Sequence, residues 1–472
     1  MYQNAVYNVG AIGDTVWIGP KLNRMIGQSG QWEIPQQADS LTNGRARLFS
    51  IALAPDTVIA GLGYSAQLGD KSYHAGMGFY TSTDGGSNWT FVDQPLETQD
   101  DTLYSYGGQD LKQLPVVVPE QSPSYDVSQS GSTLISANWA TGILRSQDFG
   151  ATWERLILPP SSQDSLDPSL TYDFEFNPNN DVNFRGFGTL IDSQGRVWLG
   201  TAGGFNVSDN ALTAPRDQIR WQHITAARPR NRTGLLGNWI ITIKEAPDGT
   251  IWMTNRISDG DRRGVVSLTD INEPYQQHLI GQIINDLAFL NGSVIAAGDN
   301  GLFISSDNGQ SWNRVSSIQS TDNQLPPTTE FLSADVADGR LWVGTNQGLI
   351  TTTDLQEWEI YRVNFPLKGG NQHIDKQANT KHYAYPNPFS PRRHSWTRIK
   401  FEVKKAGNVR IRLLDFNMQP ITTLVDESYS PGVYETPWDG LTPSDRRVSD
   451  GPVFYLIETP GHVYKGKIMV VN

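Results

Sequence analysis

Residues 282–315, QIINDLAFLNGSVIAAGDNGLFISSDNGQSWNRV, hold four short apolar runs divided by turn residues. Gln282–Leu290 reads as a first strand. Asn291-Gly292 then supplies the two positive φ angles of a tight hairpin turn. Ser293–Ala297 returns as a second strand, Gly301–Ser306 follows as a third, and a fourth begins near Trp312. Four strands this short cannot bury both faces of their sheet, so the sheet must be one of a stacked set.

The second strand recurs. Val16-Trp17-Ile18-Gly19, Val58-Ile59-Ala60-Gly61, Leu134-Ile135-Ser136-Ala137 and Val197-Trp198-Leu199-Gly200 share its pattern, as do Ile251-Trp252-Met253-Thr254, Val294-Ile295-Ala296-Ala297 and Leu341-Trp342-Val343-Gly344. Their starts are 42, 76, 63, 54, 43 and 47 residues apart. The shorter spacings suit a four-stranded repeat and the longer ones leave room for insertions. The fold predicted is all-β: a seven-bladed β-propeller over 1–365, a linker over 366–381, and a small Ig-like sandwich over 382–472. Radial stacking of seven sheets protects their edges.

Composition agrees. The 472 residues include 45 Gly, 27 Pro and 14 Trp, with 18% charged residues, the profile of a turn-rich β protein. Cysteine is absent, which excludes disulfides, thiolate metal sites and cysteine nucleophiles. A net charge of −12 offers no basic field for nucleic acid. No apolar run is long enough to span a membrane as a helix. The first residues lack a basic and an apolar leader region, and the reading is of an exported chain whose leader is removed.

A second signature, S/T-x-D-x-G-x-x-W, joins the third and fourth strands. It occurs at Ser82–Trp89 (Ser82, Asp84, Gly86, Trp89), Ser146–Trp153 (Ser146, Asp148, Gly150, Trp153) and Ser305–Trp312 (Ser305, Asp307, Gly309, Trp312). A shortened copy, Thr352–Trp358, lacks the glycine. The carboxylate can accept from turn amides, the glycine permits positive φ, and the indole can wedge between sheets. The motif resembles the Asp-box, or BNR-type, repeat of sialidases and other secreted propellers, and its role is read as structural.

The tail differs in charge. Residues 382–472 hold 12 Lys and Arg against 9 Asp and Glu, whereas residues 1–381 hold 25 against 40. Alternating strands are predicted at Arg398–Val403, Asn408–Asp415, Pro420–Val425, Gly432–Trp438, Val453–Glu458 and Val463–Val471. Pro386-Asn387-Pro388-Phe389, Gly407–Ile411, Trp438-Asp439-Gly440, Gly451 with Val453-Phe454-Tyr455, and Lys465–Val470 resemble two families. One is the Ig-like domain of flagellar hook-capping proteins, the other the C-terminal sorting domain of type IX secretion cargo. The second resemblance implies export and surface attachment or release. Pro452 interrupts the usual small-residue and aromatic stretch, and the chain ends Val470-Val471-Asn472 where a basic ending is commoner.

No catalytic motif emerges. Phe184-Arg185-Gly186-Phe187 is the nearest string to the F/Y-R-I-P segment of sialidases, and no G-x-S-x-G, H-E-x-x-H or P-loop is present. No cofactor, metal ligand set or catalytic residue is assigned. Asp259-Gly260-Asp261 is too short for a calcium loop.

Topology points to one end of the propeller. Turns between first and second strands are tight throughout, while the insertions at 63–78 and 256–264, read as loops between second and third strands, and at 93–125 and 226–238, read as links between blades, belong to the opposite end. Most Trp residues before the tail fall in second or fourth strands; Trp139 and Trp239 fall at the insertion-rich end. These two, with His74, Arg228, Arg230, Arg232 and Arg262, are the candidate ligand- or partner-binding residues. The expected role is a secreted or cell-surface binding or scaffold propeller taking a protein or glycan on that end. Its tail would contact secretion machinery or neighbouring subunits. A carbohydrate-active enzyme and a structural subunit of an extracellular assembly are the alternatives.

Overall fold

The computed structural model describes residues 5–29, 32–33, 35, 46–68, 71–226, 234–256, 263–315, 317–320, 324–361, 363, 382–391, 396–444 and 446–471. It is all-β apart from three short 3-10 turns. The chain divides into two compact units. One comprises Ala5–Val315 and Glu330–Val363; the other contains Asn364–Asn472 with Ser316–Thr329. The linker expected over 366–381 lies outside the described residues.

In the larger unit the seven recurring segments are the second strands of seven successive antiparallel sheets. The first strands are Asn8–Ile12, Arg47–Ala54, Ser124–Ser130, Gly186–Ile191, Ile240–Glu245, Ile284–Leu290 and Phe331–Ala337. Each lies beside the first strand of the next sheet, and the seventh lies beside the first, closing a ring. A backbone bond from Val6 N to Thr345 O, 2.9 Å, helps to close it. A closed ring of radially arranged sheets is a propeller. Second and third strands are buried almost throughout, because sheets cover both their faces.

The Ser-Asp-Gly-Trp turns close on themselves. Asp84 Oδ1 accepts from Ser87 N (3.0 Å) and Asn88 N (2.8 Å), Gly86 N donates to Ser82 Oγ (2.9 Å), and Trp89 Nε1 donates to Gly86 O (3.0 Å). Asp148 and Asp307 repeat the carboxylate bonds with Thr152 and Ser311, and Trp153 Nε1 donates to Gly150 O at 3.0 Å, whereas Trp312 Nε1 has no partner among the described residues. These bonds, that from Asn88 N foremost at Asp84 and that from the Ser311 hydroxyl foremost at Asp307, hold both carboxyls down at about 2. Ser208 and Asn210 make a related turn in the fourth sheet, with Asn210 Oδ1 accepting from Arg220 N at 2.9 Å. Each indole packs on the preceding sheet: Trp89 meets Trp17 edge-on at 5.6 Å, Trp153 stacks on Phe79 at 4.4 Å, and Trp312 meets Trp252 at 6.4 Å.

Gly86 sits inside the first of these contacts. Its φ is +85°, and a Cβ there would lie 2.4 Å from the Trp17 ring. Gly86→Ala is expected to cost about 2–4 kcal/mol through overpacking and left-handed strain. Gly85→Ala, at φ +66° with open space around it, should cost only about 1–2 kcal/mol. Denaturant unfolding of the two variants checks the difference, and equal losses would show that the ring contact contributes nothing.

Two insertions depart from expectation. Residues 63–78 are not a loop: Thr57–Leu68 and Lys71–Ser82 stay paired out to Leu68 and Lys71, so the insertion lengthens the ladder. Residues 93–125 fold into a hairpin, Leu103–Tyr106 with Gln109–Gln113, extended by Glu175–Phe176. Its Tyr104, Tyr106 and Leu111 share a core with Leu156, Leu166, Ile219 and Trp221, at the outer strands of the third and fourth sheets. It therefore clads the rim, where large apolar side chains find cover that an end loop lacks. Residues 157–185 complete that cladding.

In the smaller unit, His382–Tyr385, Thr397–Val403 and Gly432–Trp438 form one sheet. Pro420–Tyr429, Gly407–Leu414, Gly451–Thr459 and His462–Val470 form the other. Ile399, Phe401 and Val403 from the first meet Val409, Ile411, Ile457 and Ile468 from the second in a common core. The Asn387–Phe389 segment covers part of the edge of the last strand. Asn387 receives Met469 N and donates to Lys467 O, both at 2.8 Å, and Phe389 N donates to Met469 O at 2.8 Å. Phe389 is fully buried against Trp438, at 5.9 Å between ring centroids.

Candidate functional site

Six of the seven first strands carry an irregularity at the same place. Their pairing shifts across Leu48/Ser50, Ser124/Asp126, Gly186/Gly188, Ile240/Thr242, Ile284/Asp286 and Phe331/Ser333. Each shift leaves one extra residue: Phe49, Tyr125, Phe187, Ile241, Asn285 and Leu332. A β-bulge re-aims the side chain of its unpaired residue. All six line a cavity of about 930 Å³ at the centre of the ring. The bulges fall at the entry end of the strands, opposite the Ser-Asp-Gly-Trp turns, and the cavity's end there, with His74, Trp239 and Arg256 in its lining, is termed its mouth.

Three of the six are aromatic and adjacent. Phe49 and Tyr125 stack at 6.5 Å and 12°, Tyr125 and Phe187 at 5.6 Å and 24°, and Phe187 and Trp239 at 5.1 Å and 28°. Trp139 meets Phe187 edge-on at 5.6 Å and Trp239 at 6.5 Å, and the Arg185 guanidinium lies 5.2 Å from the Trp139 ring. His74 closes the other end of the row, 5.1 Å from Phe49 and 6.2 Å from Tyr125. The rings of Phe49, Tyr125, Trp139, Phe187 and Trp239 are half-buried and His74 is exposed. Crowding by surrounding atoms, and then the nearby Arg47, lower the His74 pKa.

The structure thus brings together His74, Trp139 and Trp239 of the candidate residues. Arg228, Arg230, Arg232 and Arg262 lie outside the described residues, as does Asp259-Gly260-Asp261. Phe49, Tyr125 and Phe187 were not singled out in the sequence. Their signal was an aromatic residue just before Ser50, Asp126 or Gly188 near the head of three first strands.

Below the mouth the cavity is polar. Asp126 Oδ2 accepts from Thr189 N of the next sheet at 2.9 Å, and Oδ1 from its own neighbour Val127 N at 2.9 Å. Asp286 grips the seventh sheet through Ala334 N at 2.8 Å, and Asp335 grips the first through Ala11 N at 2.8 Å. Lys244 Nζ lies 3.1 Å from Asp286 Oδ1 and donates to Ala334 O at 2.9 Å. Burial alone would lower the Lys244 pKa, but Asp286, Asp335 and Asp126 raise it overall. Burial pushes Asp126 up to about 7, with Lys244 and the two amides opposing, and burial likewise raises Asp335. The remaining cavity carboxylate, Glu245, accepts from Ser193 N at 2.7 Å and Ser193 Oγ at 2.6 Å. Among the described residues no group of three or more His, Asp or Glu side chains is placed to hold a metal ion.

A pH dependence follows. An unfolded aspartate titrates near about 3.9, so between about pH 4 and 7 the folded chain holds an Asp126 proton that the unfolded chain has released. Stability must fall as pH rises through that window. Below it, the depressed Asp84 and Asp307 carboxyls act the other way, and stability is lost as they are protonated. Thermal midpoints should peak near about pH 4–5, and Asp126→Asn should flatten the decline toward neutrality. Parallel curves for both proteins would exclude Asp126 as the cause.

No protein-family model matches the sequence, and no curated protein does. Solved structures with a similar arrangement include PorZ, a surface component of the type IX secretion system of Porphyromonas gingivalis, at 13% identity and TM-score 0.38, covering 99% of this chain and 75% of that one. YCF48 from Cyanidioschyzon merolae matches at 14% and TM-score 0.45, covering 74% of this chain and 95% of that one. AFV00434, an ancestral GH74 enzyme, matches at 13% and TM-score 0.46, covering 97% and 59%.

Proposed function

We propose that the chain is an extracellular or cell-surface binding propeller, whose site is the cavity mouth and whose C-terminal sandwich serves export sorting or attachment. The observation that carries the binding role is the aromatic row from Phe49 to Trp239 on four consecutive sheets, half-exposed around a cavity. Half-exposed aromatic rings around a concave polar floor are the usual makings of a ligand site. A binding role is favoured over hydrolysis because the cavity carboxylates are spent on structure. Glycoside hydrolysis needs one carboxyl to deliver a proton and another to attack or to activate water. Here Asp126, Asp286 and Asp335 each grip two backbone amides.

The partner is a protein or a glycan. Peptide and glycan arrays probed with the whole chain should give hits that Trp239→Ala weakens by about tenfold or more, the scale of an aromatic anchor. Absence of hits, hits indifferent to Trp239→Ala, or release of reducing sugar from bound glycans would each overturn the reading. The sorting role rests on the resemblance of residues 382–472. Fusing them to a reporter in a type IX-secreting bacterium tests it, with export expected and retention excluding it.

A further inference from the structure

The cavity mouth has an unusual hydrogen-bonding character. Among the described residues, the guanidinium groups of Arg47 and Arg256, the His74 ring nitrogens, the Tyr125 hydroxyl, and the indole N–H of Trp139 and Trp239 have no hydrogen-bond partner. Elsewhere Trp89, Trp153, Trp198 and Trp438 donate within the fold, whereas the buried indole N–H groups of Trp221 and Trp312 have no partner among the described residues. Arginine and tryptophan side chains only donate, and a tyrosine hydroxyl donates readily. The four carboxylates that line the cavity are all engaged, with backbone amides, Lys244 or Ser193. The mouth is therefore rich in unused donors, in a unit whose sequence is otherwise strongly acidic.

We infer that this mouth captures an acidic peptide segment, with side-chain carboxylates against Arg47 and against Arg256 and apolar side chains against the aromatic row. This rests on the binding role proposed above. The occupant is argued from what the mouth lacks. Every sugar hydroxyl brings a donor as well as acceptors, so glycan recognition calls for protein acceptors beside protein donors. Each peptide unit likewise pairs an N–H donor with a carbonyl acceptor, but glutamate and aspartate side chains add carboxylates, which bring acceptors alone. Arginine pairs with carboxylate through two parallel bonds, which gives direction as well as attraction.

The test uses the whole chain and three labelled probes: an octapeptide rich in glutamate and leucine, the same peptide with glutamine for glutamate, and an octamer of galacturonate. The glutamate peptide is expected to bind about tenfold or more tightly than its glutamine counterpart, the scale of a charge-assisted hydrogen bond. Arg256→Gln should remove about tenfold of that affinity and Arg47→Gln a similar amount, with thermal midpoints showing that both variants fold. Equal binding of the two peptides would overturn the carboxylate, and binding of galacturonate alone would overturn the peptide. If none of the probes binds while array hits still depend on Trp239, the acidic-peptide inference fails and the binding role stands. If array hits fail as well, both fall.

Discussion

Arg155→Met is expected to destabilise the larger unit by about 3–5 kcal/mol, the range for removing one partner of a buried ion pair. Arg155 is 3% exposed and its partner Glu97 16%, with Arg155 Nη1 2.8 Å from Glu97 Oε2. The guanidinium also donates to Thr141 O (3.1 Å), Leu114 O (3.1 Å) and Ala140 O (3.2 Å), and lies 4.0 Å from the Phe176 ring centroid. One side chain thus ties the rim hairpin to the third sheet. Methionine fills similar volume but leaves Glu97 and three carbonyls without that partner. Glu97→Gln retains an acceptor for the guanidinium and should cost less, about 1–2 kcal/mol. Denaturant unfolding measures both, and a loss below about 1 kcal/mol for Arg155→Met would show that the pair is dispensable.

Lys244→Met should cost about 1–3 kcal/mol near neutrality, less than the Arg155 change because the Lys244 side chain is 31% exposed, with a pH dependence that a packing defect would not show. Lys244 is the one basic residue placed among Asp126, Asp286 and Asp335 in the described lining. Without it those carboxylates repel one another, and the resisted upward shifts of Asp126 and Asp335 grow. Protonation relieves the repulsion, so the loss should shrink as pH falls from about 8 toward 5. In the unsubstituted protein the raised Lys244 pKa adds stability that persists below its unfolded pKa of about 10.4 and is lost above it. A loss independent of pH would assign Lys244 a steric role alone.

The seven second strands were legible because they are buried on both faces and so read as unbroken apolar runs. The Ser-Asp-Gly-Trp turns were legible because their bonding is local, spanning at most four residues at Asp84. The loop assigned at 63–78 was misread, because an extended hairpin and a polar loop share Gly, Ser and Asp. The rim hairpin reads from sequence as an end insertion because its anchors, Arg155, Ile219 and Trp221, are distant in sequence.

Sequence alone determined the all-β class, the sevenfold recurrence and the chemistry of each turn, since these depend on residues that are neighbours along the chain. Trp139 and Trp239 could also be marked as standing apart from the strand pattern. Only the tertiary structure decided what surrounds them. The aromatic row draws one residue from each of four sheets, separated by as many as 76 positions between Phe49 and Tyr125. Phe49, Tyr125 and Phe187 meet because bulges at matching places aim them inward, while Trp239 stands just ahead of the fifth first strand; a bulge is a matter of strand pairing that leaves no local signature. The unused donors at the mouth and the engaged carboxylates beneath it depend equally on closure of the ring.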